Sequence, residues 1–102
     1  MSRITENEIA VAVLHILAEQ PNGRATVRKL KRELPLYVRL SAQDQAGSWT
    51  RDHEELWEQQ VRNLKSHSNV RGNIFHEGHV VHVARGVWEI TNAGRRRVAR
   101  AA

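Results

Sequence analysis

Some side chains in this sequence are of types and spacings that do chemistry. His76, His79 and His82 recur every third residue, with His67 nearby. Imidazole is a good zinc ligand, so the set invites a metal reading. Residues three apart on a strand point to opposite faces, however, and the chain has no cysteine to complete a site. Histidines at the rim of a surface are the commoner explanation, and no metal site is assigned. His67-Ser68-Asn69 with His76 superficially resembles a His-Asn-His nuclease motif. That chemistry needs a metal-bound histidine and a general base on a hairpin and helix frame, whereas these residues follow a helix. No Ser or Cys has a recognisable activating partner, and no glycine-rich phosphate loop occurs. No catalytic residue and no cofactor are assigned, and the chain is not expected to be an enzyme.

A further set is Gln59, Arg62 and Ser66, spaced three and four apart. These side chains suit recognition of nucleic acid. Arginine pairs in bidentate fashion with guanine, and glutamine with adenine. Asn69 and Arg71 lie just beyond them, and Arg85, Arg95 and Arg96 later in the chain add cations.

What must position the first of these is an amphipathic helix over 49–69. At about 100° per residue, Val61, Leu64 and Gln60 share a face with Trp57, and Leu56 and His53 flank it. Glu55, Gln59, Arg62 and Ser66 occupy the opposite face. Asp52, Glu54, Glu55 and Glu58 crowd the expected first turns, while Arg62, Lys65 and His67 come late, as the helix dipole prefers. Ser48 or Thr50 can cap the start. A core helix with an ordinary solvated outer face has the same pattern.

Thr5-Glu6-Asn7-Glu8 is a capping box that opens an earlier helix, ended near residue 20 by Pro21-Asn22-Gly23. Ile9, Val13, Ile16 and Leu17 form one stripe, and Val11 and Leu14 a second, so this helix is expected to be covered on more than one side. Thr26 caps a second helix over 27–34, which Pro35 stops. Its Val27, Leu30 and Leu34 face inward; Arg28, Lys29, Lys31 and Arg32 face water or a phosphate backbone. Residues 37–40 look extended, and 73–78 read as one more helical turn ended by Gly78. Runs 79–83 and 87–90 are rich in β-branched residues and read as strands, with Gly86 supplying the turn. Thr91 caps a last helix through residue 100, docked by Val98.

The chain has 102 residues, enough for one domain. Its net charge is +5 and its pI about 10.7, which favours an anionic partner. The absence of cysteine fits a reducing cytoplasm. The apolar run 9–18 is too short to span a membrane, and no basic stretch precedes it as in a signal peptide.

The order helix, helix, helix, hairpin, helix is that of a winged helix-turn-helix: an α+β, mostly helical fold with a three-helix core, a two-stranded wing and a C-terminal helix. Arg85-Gly86-Val87-Trp88-Glu89-Ile90-Thr91-Asn92-Ala93-Gly94-Arg95 resembles the "RGvyrITeaGr" ending of bacterial winged-helix domains. With Leu30, Glu33-Leu34-Pro35, Leu40-Ser41 and Asp44, the chain is most similar to the N-terminal DNA-binding domain of Mrr-type restriction endonucleases. The similarity covers most of 5–100 and departs at 66–77, where the family passes directly from its recognition helix into "L-x-x-x-G". It does not extend to the family's nuclease domain, so it implies binding and not cleavage. It implies double-stranded DNA as partner, in a restriction-modification or transcription-regulating setting, with a second copy of the chain or a separate nuclease as companion. Winged helices also serve as dimerisation or interaction modules that bind no DNA. The acidic start of the third helix suits that alternative, because carboxylates repel phosphates.

Overall fold

Thr5 opens the first element. Its hydroxyl accepts the N–H of Glu8 at 3.1 Å, and the Glu8 carboxylate accepts the N–H of Thr5 at 3.1 Å. This reciprocal pair satisfies donors that a helix start leaves open. Helix α1, Glu6–Glu19, buries Ala10, Ala12 and Leu14 as well as Ile9, Val13, Ile16 and Leu17, so it is wrapped on several sides. It contacts α2, α3 and α4, introduced below, and forms the axis of the core. The computed structural model of the chain describes residues 3–48 and 53–101.

After α1, Gly23 takes φ 70°, a left-handed turn open to glycine, and the chain enters strand β1, Arg24–Thr26. This strand is not among the expected elements. Thr26 then caps helix α2, Val27–Glu33, by accepting the N–H of Lys29 at 3.0 Å. The expected end at residue 34 moves back by one, because Leu34–Leu36 tightens into a 3-10 turn around Pro35. The expected extended run 37–40 is also corrected. The N–H groups of Tyr37 and Val38 both return to the carbonyl of Leu34, so the turn continues instead of stretching into a strand.

Helix α3 spans Leu56–Ser66, with Glu55 as its cap. The expected helix over 49–69 is therefore too long at both ends. Trp49, Thr50 and Asp52 lie outside the described residues. Ser48 does not cap α3; Glu55 stands at that position. The first helical N–H groups are instead satisfied by the preceding loop: Leu56 donates to the carbonyl of Ala46 at 2.9 Å and Trp57 to that of Asp44 at 3.0 Å. His53 sits at φ 63°, which a helix cannot contain. At the other end His67 leaves the helical region, and 69 lies in a turn. The inner face is as expected: Trp57, Val61 and Leu64 are buried.

Residues 73–78 form a turn held by Asn73. Its side-chain amide donates to the carbonyl of Leu64 at 2.8 Å, and its oxygen accepts the N–H of Phe75 at 2.7 Å. Gly78 ends it at φ 75°. Strands β2, Val80–Ala84, and β3, Val87–Ile90, then pair antiparallel around Gly86, which takes φ 69°. The expected two-stranded hairpin is in fact a three-stranded sheet in the order β1-β3-β2, with Ala25 opposite Trp88 and His82 opposite Trp88 on its other side. Helix α4, Asn92–Ala101, closes the chain; Thr91 caps it, its hydroxyl accepting the N–H of Gly94 at 3.1 Å.

The core joins α1, Leu30, Leu34, the inner face of α3, Ile74, and Val80, Trp88 and Ile90 of the sheet. Phe75 meets Trp88 edge-on, with ring centres 4.9 Å apart. The architecture is α+β, four helices around a small antiparallel sheet. Among the described residues no helix is long and apolar enough to cross a membrane.

Candidate nucleic-acid interface

The loop before α3 sets where that helix points. Ser41 and Asp44 cap each other: the Ser41 N–H donates to Asp44 Oδ2 at 2.9 Å, and the Asp44 N–H to Ser41 Oγ at 3.1 Å. The other Asp44 oxygen accepts the N–H of Ile4 at 2.8 Å. Burial pushes the Asp44 carboxyl up, but the backbone N–H groups of Ser41 and Ile4 outweigh it and hold the group below its ordinary value of 3.8. With its carbonyl on Trp57, Asp44 ties the N-terminal segment, the loop and the start of α3 together.

Where α2, α3 and the β2–β3 hairpin meet, the surface is concave. Val27, Lys31, Arg62, Lys65, His82, Gly86 and Trp88 line this groove. A second hollow shares Val27 and Lys31 with it and is lined also by Arg28, Arg32 and Glu58. Cations from two helices thus converge on one opening, beside a hairpin turn where, among the described residues, the side-chain position of Gly86 faces open space. Lysine and arginine there can donate to phosphate oxygens.

One buried carboxylate faces this surface. Glu54, 7% exposed, accepts from Arg62 Nη2 at 3.0 Å and lies 3.8 Å from Lys31 Nζ. Glu54 is thus not surface charge in a first helical turn, as expected, but an ion-pair centre between α2 and α3.

The eight residues expected to touch DNA fall in separate places. Gln59, Arg62 and Ser66 lie on α3. Gln59 accepts the hydroxyl of Ser48 at 2.8 Å, Arg62 is held by Glu54, and the Ser66 hydroxyl reaches back to the carbonyl of Arg62 at 3.4 Å. Asn69 and Arg71 are exposed in the turns after α3. Arg71 lines a different cleft, against Glu6, Asn7 and Ile74. Arg85 is exposed at the hairpin tip. Arg95 and Arg96 are exposed on α4, which packs on α1 and β3 and contributes nothing to the groove lining. Only Arg62 of the eight lines the groove. Lys65 and His82 complete it and were not in the expected set. Lys65 follows Arg62 by three positions, a helical spacing that could have found it; it also lies 5.8 Å over the ring of Phe75.

The histidines of the metal reading diverge. His76 contacts Glu77 at 3.0 Å, His79 approaches Arg97, and His82 lines the groove. Burial lowers the His79 pKa, and Arg97 and Arg100 lower it further. Among the described residues no three His, Asp or Glu side chains gather around one point.

No protein-family model, curated protein or solved structure matches the chain.

Proposed function

We propose that this chain is a winged-helix module that binds double-stranded DNA, with α3 presented to the major groove and the β2–β3 hairpin as its wing. The observation that carries this reading is the groove in which Lys31, Arg62 and Lys65 converge at the junction of α2, α3 and the hairpin. The element order, and the pairing of the strand before α2 with the second hairpin strand, support it. In this reading Lys65 neutralises a phosphate, with Lys31 beside it in the groove, the outer face of α3 meets base edges through Gln59, Arg62 and Ser66, and Arg85 at the hairpin tip reaches a phosphate or the minor groove. Arg95 and Arg96 take flanking phosphates where the duplex reaches α4. The module binds without cutting; the likeness of 85–95, taken together with Leu30, Glu33-Leu34-Pro35, Leu40-Ser41 and Asp44, to the N-terminal domain of Mrr-type restriction endonucleases suggests a restriction or regulatory setting. The deciding experiment is duplex binding across a salt series. DNA binding through phosphates weakens steeply and linearly on logarithmic axes. A flat response, or no binding at low salt, removes the reading.

A second reading has one observation in its favour. Leu36 is 83% exposed beside exposed Pro35 and Tyr37, an apolar point suited to a second copy of the chain. Sedimentation without DNA separates the two: a stable dimer that Leu36→Asp dissolves, in a protein that binds no DNA, favours assembly alone.

A further inference from the structure

The buried carboxylate at the groove has a role that the DNA reading alone does not give it. Glu54 stands one residue before the cap of α3, and its backbone carbonyl is fixed by the N–H of Ser48 at 2.6 Å. Its side chain, 8% exposed, meets Arg62 through both Nε, at 3.4 Å, and Nη2, at 3.0 Å, and meets Lys31 of α2 at 3.8 Å. Engagement of two guanidinium nitrogens fixes the plane of that group as well as its position. The same contacts withhold charge. A cation already paired with a low-exposure carboxylate gains less from a phosphate than one that is not. Lys65, in the same groove, has no carboxylate partner among the described residues.

We infer that Glu54 is a positioning residue which orients Arg62 and holds Arg62 and Lys31 back from phosphates, so that the groove grips DNA of any sequence less tightly than its cations allow. This rests on the DNA-binding reading above and deepens it. A module that searches among many unrelated sites needs weak hold on those sites, and a built-in counter-charge supplies it.

The test is Glu54→Gln, which keeps shape and removes charge, measured with the full chain on a mixed-sequence duplex over a salt series. Removing the Glu54 charge loosens its hold on Lys31 and Arg62 and is expected to steepen the slope by about 0.9, one further phosphate contact shared between the two, and to raise affinity at low salt by roughly tenfold. Adding Arg62→Gln to Glu54→Gln is expected to return the slope toward wild type. A folded Glu54→Gln protein with unchanged slope and affinity overturns the inference while leaving the DNA reading intact. A wild type that binds no duplex overturns both. If Glu54→Gln does not fold, single variants decide. Lys65→Gln is expected to lower the slope by about 0.9, and Lys31→Gln and Arg62→Gln by much less. Equal losses from all three overturn the inference.

Discussion

The carboxylate of Asp44 accepts the backbone N–H of Ile4 across forty positions of sequence, at 2.8 Å. Asp44 is 2% exposed, and its second oxygen is taken by the N–H of Ser41. The group is therefore favoured in its charged form, and its folded pKa lies below the unfolded one. Such a carboxylate adds stability that is present above its unfolded pKa and lost as pH falls through the folded value. Thermal melts of the wild type are expected to fall on acidification below about pH 4, and Asp44→Asn to flatten that part of the profile. At neutral pH, Asp44→Ala leaves two buried N–H groups unmet and is expected to cost about 3 kcal/mol. Equal acid sensitivity in Asp44→Asn would show that other carboxylates govern the profile.

Gly94 gives a prediction with an inverted sign. Replacing glycine by alanine inside a helix ordinarily stabilises by about 1 kcal/mol. At Gly94 an added Cβ would stand 2.2 Å from the carbonyl oxygen of His79 and 2.7 Å from Ile90 Cγ1. Backbone cannot yield as a flexible side chain does, so Gly94→Ala is expected to destabilise by about 1–3 kcal/mol. Chemical denaturation measures it; a gain in stability would mean that α4 can lift from the sheet without cost.

Trp57 is 6% exposed at the start of α3, its indole N–H donating to Glu55 at 2.8 Å. Trp57→Ala is expected to cost about 3–5 kcal/mol and to weaken ligand binding only in proportion to unfolding. A Trp57→Ala protein that melts like the wild type would contradict the observed helix phase.

On the DNA reading, Arg85 at the hairpin tip and Arg96 on α4 hold the duplex without reading it. Either change to alanine is expected to weaken all sequences alike and reduce the salt slope by about one. Because α4 lies away from the groove, the smaller loss belongs to Arg96→Ala. A loss confined to one sequence assigns that arginine to base readout instead.

On the same reading, base contact falls most directly to Arg62. Selection from random duplexes is expected to enrich a motif with the wild type and to lose about 1–3 kcal/mol of discrimination at one base pair with Arg62→Ala. An identical motif at identical strength in Arg62→Ala would limit the residue to its pair with Glu54.

What could be read from the sequence is what local chemistry decides. Thr5 and Glu8 are three apart, Thr26 directly precedes its helix, and the alternation around Trp88 lies within one strand, so α1, the start of α2 and β3 are legible. Strand β1 is not, since three residues carry no periodicity and become a strand only by meeting β3 more than sixty positions later. The start of α3 is not legible either, for a related reason. The acidic run before Leu56 suits a helix dipole, but the loop carbonyls of Asp44 and Ala46 take the first N–H groups, and Glu54 turns toward Lys31 and Arg62. In the candidate site the place of Arg62 on α3, away from the buried Trp57, Val61 and Leu64, follows from spacing. Its buried counter-charge does not, because the pairing of Glu54 with α2 depends on how two helices pack.

The middle strand of the sheet is the last of the three to be made. Val87–Ile90 bridges β1 and β2, and Val27, at the start of α2, donates its N–H to the carbonyl of Gly86 at 2.8 Å. On a ribosome, Arg24–Thr26 therefore emerges long before its pairing edge exists. A nascent chain halted ahead of Val87 offers an open strand and an apolar α1 to whatever chaperone or neighbour is at hand. Completion of this fold is thus tied to translation passing Ile90, and codon-level pauses ahead of that point would set how long the exposed intermediate lives.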